Sequence, residues 1–170
     1  SSAKNQLISH TQYHAYARGI FQKTVAQIYP RYQQTLSSNN ALDFDDLLML
    51  AVELFKKFPD VLEKYQNQFR YILVDEYQDT NRAQYVFLKL LAQKHKNICV
   101  VGDDWQSVYA FRGADFRNIL TFEKDYPEAK IVFLEENYRS TQNILDAAHA
   151  VIQKNVYKTE KKLWTRRDQG

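Results

Sequence analysis

A short apolar run, Tyr71-Ile72-Leu73-Val74, stops on two adjacent carboxylates, Asp75 and Glu76, and Gln78-Asp79-Thr80-Asn81 then reads as a helix start. Two more β-rich runs occur at 98–101 and 131–134, with helical stretches between the runs at 83–94 and around 115–125. Strands alternating with helices predict an α/β fold: a parallel sheet closed by helical crossovers. Ligands of such a sheet bind beyond the carboxyl ends of its strands. The ends of the three runs are therefore where chemistry is expected.

The first seventy residues follow a different pattern. Tyr13, Ala17, Ile20, Val25, Ile28, Tyr32 and Leu36 recur at near-helical spacing across 11–36, with Pro30 expected to kink or divide that helix. Ser37-Ser38-Asn39-Asn40 is a loop by composition. Asp43 is placed to cap a helix over 44–57, Pro59 lies just past its end, and a short helix is expected at 61–68. A last helix is expected at 141–154, capped by Ser140 or Thr141.

With 170 residues, 45% of them hydrophobic and 25% charged, the chain has enough apolar material for a real core. It holds no apolar run near the ~20 residues of a membrane span, and its polar start carries no signal-peptide pattern. The single cysteine, Cys99, lies in the apolar run Asn97-Ile98-Cys99-Val100-Val101 and reads as a packed, reduced thiol. No disulfide framework can form within one chain, which points to an intracellular, cytoplasmic protein. Net charge is only +3, but residues 1–42 contain no acid, residues 154–170 are strongly basic, and the centre is acidic. Basic flanks around an acidic centre suit a nucleic acid beside a metal–nucleotide site, and equally suit solvated helix faces. The four histidines (His10, His14, His95 and His149) have no metal-ligand spacing with Cys99, so no zinc site is assigned.

Two acids at a strand end can divide the work of phosphate hydrolysis, one holding Mg²⁺ and the other orienting the attacking water. Taken alone, Asp75-Glu76 reads more readily as a helix cap. The second run leads into Gly102-Asp103-Asp104-Trp105-Gln106-Ser107-Val108-Tyr109-Ala110-Phe111-Arg112-Gly113. There Gly102 permits a tight turn and Gln106 can sense a terminal phosphate. Tyr109, Phe111 and Arg112 offer flat faces to unpaired bases, stacking worth about 1–3 kcal/mol per base. The third run leads into Glu135-Glu136-Asn137-Tyr138-Arg139, where Tyr138 can stack on a nucleobase and Arg139 can meet a transferring phosphoryl group. Each also has a plain structural reading as core aromatic, turn or surface charge.

Together the segments Asp75–Asn81, 101–115 and 134–141 resemble motifs II, III and IV of the UvrD/PcrA/Rep group of superfamily 1 DNA helicases, closest to its PcrA-type members. The likeness extends through Ala41-Leu42-Asp43-Phe44-Asp45-Asp46-Leu47-Leu48 and Ser1-Ser2-Ala3-Lys4-Asn5, so it covers nearly the whole chain. It implies part of the parallel sheet of a P-loop NTPase (RecA-like) motor domain, preceded by a helical insertion region. The implied division is a helical region at 1–68, an α/β motor part at 69–135, and motif IV with the next helical segment at 136–170. The implied activity is ATP-dependent 3′–5′ DNA unwinding with ATP and Mg²⁺ as cofactors and single-stranded DNA and single–double-strand junctions as substrates. Asp75 would then coordinate Mg²⁺, Glu76 activate water, Gln106 couple the γ-phosphate to the DNA track, Tyr138 stack on adenine and Arg139 contact the γ-phosphate. Tyr109, Phe111 and Arg112 would line the track. Two positions depart from the family pattern: Phe111 stands where tryptophan is frequent, and Trp105 where an acid is common. Asp43-Phe44-Asp45-Asp46 is a family marker read as capping and packing.

A phosphate-binding loop needs G-x-x-x-x-G-K-[ST]. None of the four glycines (Gly19, Gly102, Gly113 and Gly170) precedes a lysine, so these residues contain no such loop. The resemblance puts it, and a second motor domain, outside the chain. The isolated chain is therefore expected to bind ATP weakly or not at all, to hydrolyse none, and to self-associate through an uncovered sheet edge. A non-catalytic nucleic-acid-binding or protein-docking module, and the helicase part of a helicase–nuclease, remain alternatives.

Overall fold

The computed structural model describes residues 1–107, 113–115, 117–155 and 159–167. Helices dominate: α1 (Ser2–Asn5), α2 (Gly19–Ser38), α3 (Phe44–Lys57), α4 (Pro59–Gln68), α5 (Arg82–Ala92), α6 (Arg117–Leu120), α7 (Phe122–Asp125) and α8 (Gln142–Ile152). Strands β1 (Ile72–Val74) and β2 (Ile98–Val100) pair in parallel, with Ile72 opposite Ile98 and Val74 opposite Val100, and α5 is the crossover between them. The α/β architecture is thus present as a helix-rich body around a small parallel sheet.

Helix α3 organises the core. Asp43 accepts the Asp46 N–H at 2.9 Å while the Asp46 carboxylate accepts the Asp43 N–H at 3.2 Å. This reciprocal cap satisfies two donors that a helix start leaves open. Asp46, Met49, Val52 and Phe55 then recur every three residues on the buried face. That face packs on α5, where Phe87 stacks on Phe55 with ring centroids 5.5 Å apart and Ala83, Leu91 and Ala92 are buried. Pro59 opens α4, a position where its missing N–H costs nothing, and Gln66 fastens α4 to α5 through the Leu90 carbonyl at 2.8 Å.

Five expectations change. Helix α2 is not divided at Pro30: the proline forfeits its own bond to Ala26, while Ala26 and Tyr29 anchor the inward face. The stripe read across 11–36 is also rotated: the helix begins only at Gly19, after a 3₁₀ turn at Tyr13–Tyr16, and Ile20, Ile28 and Tyr32 are exposed. Residues 131–134 form no strand; Ile131, Val132, Phe133 and Leu134 are all exposed, with no pairing partner among the described residues. Cys99 is an exposed thiol, since it shares the uncovered face of the sheet with Leu73. The segment around 115–125 divides into two short helices, α6 and α7. Among the described residues no helix is long and apolar enough to cross a membrane.

Candidate active site at the strand ends

Parallel pairing brings the exits of β1 and β2 to one edge. The Val101 N–H donates to the Val74 carbonyl at 2.8 Å, and the Tyr77 N–H donates back to the Val101 carbonyl at 3.0 Å. Asp75 and Glu76 leave this edge into a 3₁₀ turn, Tyr77–Asp79. Glu76 sits at φ +50°, the left-handed region that side-chain-bearing residues rarely occupy and that costs of order 1–3 kcal/mol. Its backbone is held from both sides: its N–H donates to Asp75 Oδ1 at 2.9 Å and its carbonyl accepts the Asp79 N–H at 2.9 Å. Both carboxylates border a cleft of about 380 Å³ shared with Asp79, Thr80, Gln84 and Phe87. Asp79 Oδ1 is buried there without a hydrogen-bond partner among the described residues. Burial, then the neighbouring Glu76 charge, push the Asp79 carboxyl above its ordinary range, against the opposing bond from Gln78.

Gln78, only 1% exposed, lies between the two strand exits. Its Nε2 donates to Glu76 Oε2 at 2.7 Å, and its Oε1 accepts the Asp103 N–H at 3.0 Å. Asp103 in turn accepts from Gln106 Nε2 at 2.8 Å. Glu76 and Gln106 are therefore joined through Gln78 and Asp103. Gly102 is required by this approach and not by a turn conformation: a Cβ there would stand 2.7 Å from Gln78 Oε1 and 2.8 Å from Ile119 Cδ1.

Trp105 faces the basic C-terminal segment. Its Nε1 donates to the Thr159 carbonyl at 3.2 Å, Lys161 Nζ lies 4.6 Å from its ring centre, and its ring packs against His149. Lys161 also pairs with Asp103 and, at 3.0 Å, with Asp104. Burial works to raise the Asp104 carboxyl, but bonds from the Thr159 hydroxyl and N–H and from Lys161 hold it below the ordinary range.

Tyr138 and Arg139 lie in a bend that follows a parallel bridge between Glu136 and Trp164. Both are exposed. The Tyr138 hydroxyl donates to Glu136 at 3.1 Å, and the Arg139 carbonyl accepts from Arg167 at 2.6 Å. None of the described hydrogen bonds joins either residue to Asp75 or Glu76. Thr141 occupies the N-cap position of α8 without a capping side-chain bond; Asn137 Oδ1 instead accepts the Arg139 and Ser140 N–H groups. Tyr109, Phe111 and Arg112 lie outside the described residues. The chain just beyond them is fastened to the first strand's exit: Ala114 bridges Asn81, the Asp115 N–H donates to the Thr80 carbonyl at 3.0 Å, and Asn118 Nδ2 donates to the same carbonyl at 3.0 Å.

The sequence reading did not single out Gln78, Asp103, Thr159 or Lys161. For Gln78 a signal existed, a carboxamide two residues past Glu76 with a glycine on the opposite strand's exit. Thr159 and Lys161 carried none, because they reach Asp104 across more than fifty residues of chain. Among the described residues no group of three or more His, Cys, Asp or Glu side chains is arranged to hold a metal by itself.

A family model described as the UvrD/REP helicase N-terminal domain matches residues 1–127. The whole chain is 56% identical to the ATP-dependent DNA helicase PcrA of Leuconostoc citreum. It is 55% identical to the PcrA helicases of Staphylococcus epidermidis and Staphylococcus aureus. In each case the match takes in all 170 residues of this chain and 23% of the relative's length. With the strand-end carboxylates, the Gln106 loop and this similarity in agreement, the chain belongs to the UvrD/REP helicase family.

Proposed function

We propose that these residues are part of a PcrA-like motor that couples Mg-ATP hydrolysis to 3′–5′ movement on single-stranded DNA and to duplex unwinding. The observation that carries this reading is the joining of Glu76 to Gln106 at adjacent strand ends, through Gln78 and Asp103. A hydrolytic group and a phosphate sensor need that proximity if the nucleotide's state is to reach a DNA track.

The donor set suits magnesium, which is usually bound by one or two carboxylates together with substrate phosphates. Asp75 is the carboxylate that would hold it, and the partnerless Asp79 oxygen beside the cleft fits a water of its shell. When bound, the ion supplies charge neutralisation for the phosphate oxygens. Glu76 accepts the proton of the attacking water, Gln106 reports on the γ-phosphate, Tyr138 stacks on adenine and Arg139 meets the γ-phosphate. Tyr109, Phe111 and Arg112 stack on unpaired bases. In this reading 1–68 is the helical insertion with its return, 69–135 belongs to a RecA-like motor domain, and 136–170 begins the next helical segment. The phosphate loop comes from elsewhere in a longer protein, so the isolated chain turns over no ATP, and an uncovered sheet edge invites self-association. The work is done in the cytoplasm, on single strands and junctions.

Fluorescence anisotropy with single-stranded DNA at two salt concentrations tests the DNA half. Salt-sensitive binding weakened by Phe111→Ala is expected. Binding that is unchanged by that substitution and by salt would count against the assignment.

A further inference from the structure

We propose that Gln78 is a positioning residue for ATP hydrolysis: its carboxamide fixes the Glu76 carboxylate as a general base and ties it to the exit of β2. The inference rests on Glu76 acting as proposed above. In that reaction the water oxygen bonds to the γ-phosphorus, the bond from that phosphorus to the leaving diphosphate breaks, and the water proton passes to Glu76.

Glu76 has little else to orient it. Its side chain is exposed, and its strained backbone fixes where the chain runs but not where the carboxylate points. Gln78 is the opposite case, buried to 1% exposure with both ends of its carboxamide in use. The NH₂ end serves Glu76 at 2.7 Å and Asp79 Oδ2 at 3.4 Å, while the oxygen accepts the Asp103 N–H at 3.0 Å. A flipped amide would set an oxygen against a carboxylate and an NH₂ against an N–H, so the orientation is determined by its neighbours. Gly102 leaves the space that the carboxamide oxygen fills. A shift of the Asp103 peptide on γ-phosphate sensing by Gln106 would be felt at Glu76 through this one side chain.

The test is steady-state, DNA-stimulated ATP hydrolysis, with kcat and KM for ATP separated, by a full-length helicase carrying these residues, comparing wild type, Gln78→Ala, Gln78→Glu and Glu76→Gln. Gln78→Ala should lower kcat about tenfold or more, within the roughly 10²–10⁴ that a general base supplies, with KM for ATP nearly unchanged. Gln78→Glu keeps the shape but replaces the donor that faces Glu76 with an acceptor, so it should lower kcat at least as far, again with KM for ATP nearly unchanged. Wild-type kcat in Gln78→Ala beside an inactive Glu76→Gln would overturn the positioning role alone. So would wild-type kcat in Gln78→Glu, or a rise in KM for ATP matching the fall in kcat, the mark of a merely structural strut. An active Glu76→Gln would remove both this role and the reading of Glu76 beneath it.

Discussion

Lys4 Nζ lies 2.8 Å from Asp46 Oδ1, and both side chains are only 2% exposed. The same ammonium reaches Asp43 at 2.7 Å and faces the Tyr32 ring at 5.3 Å. One buried cation therefore ties α1 to the capping box of α3, and α2 joins through Gln33 on Asp46 and the Tyr32 hydroxyl on Asp43. Lys4 is thus withdrawn from the basic surface that the sequence suggested for the first 42 residues.

Removing this cation leaves two carboxylates without their counter-charge, one of them fully buried. Lys4→Met should cost about 3–5 kcal/mol of folding stability by urea denaturation. Lys23→Met, at an exposed position, should stay within about 0.5 kcal/mol of wild type.

Acid should loosen the same junction. Burial works to raise the Asp43 carboxyl, but bonds from Lys4, the Asp46 N–H and the Tyr32 hydroxyl outweigh it and bring it down to about 2. A carboxyl depressed on folding gives stability that is present above its unfolded value and lost as pH falls through its folded value. Urea midpoints should therefore drop between about pH 4 and pH 2, the interval between those two values. Asp43→Asn, which keeps a capping oxygen, should flatten that part of the curve.

Gly102→Ala tests the close approach behind the strand ends. With a Cβ at 2.7 Å from Gln78 Oε1 and 2.8 Å from Ile119, the carboxamide or the α6 side chain must move. About 1–3 kcal/mol of stability should be lost, as for other overpacked sites. A thermal midpoint equal to wild type would mean that Gln78 is not packed as described.

Asn81 serves two partners at once: its Oδ1 caps α5 through the Gln84 N–H at 3.0 Å, and its Nδ2 donates to the buried Asn5 at 3.1 Å. Asn81→Ser keeps a capping oxygen but strands the Asn5 carbonyl oxygen, a loss of about 1–3 kcal/mol. In a double-mutant cycle with Asn5→Ala the two changes should couple by about 0.5 kcal/mol or more. Strict additivity would deny the contact between the chain's start and the exit of β1.

Local signals were legible wherever local chemistry settles the outcome. Helix α3 was readable from Asp43 to Lys57, because its capping aspartate and the proline just past its end are both local to it. The pairing of β1 with β2 followed from two apolar runs separated by a crossover helix. Residues 131–134 look as strand-like as either of these, yet pairing belongs to two segments and not to one. Cys99 was misjudged for a related reason: an apolar run shows that a strand is hydrophobic, not which face is covered. At the site, Asp75, Glu76 and Gln106 were legible by their place after strands. The carboxamide between them was not, since its partners are assigned only once the two exits lie side by side.

The most direct test of the central claim, that the strand-end carboxylates serve ATP hydrolysis, is Mg²⁺-dependent, DNA-stimulated turnover by a full-length helicase carrying these residues. The substitution to make is Glu76→Gln, with nucleotide binding followed in parallel. The account predicts a fall in kcat of about 10²–10⁴ with binding retained, and no turnover by the 170-residue chain alone. Wild-type turnover in Glu76→Gln, or Mg²⁺-dependent hydrolysis by the isolated chain, would contradict it.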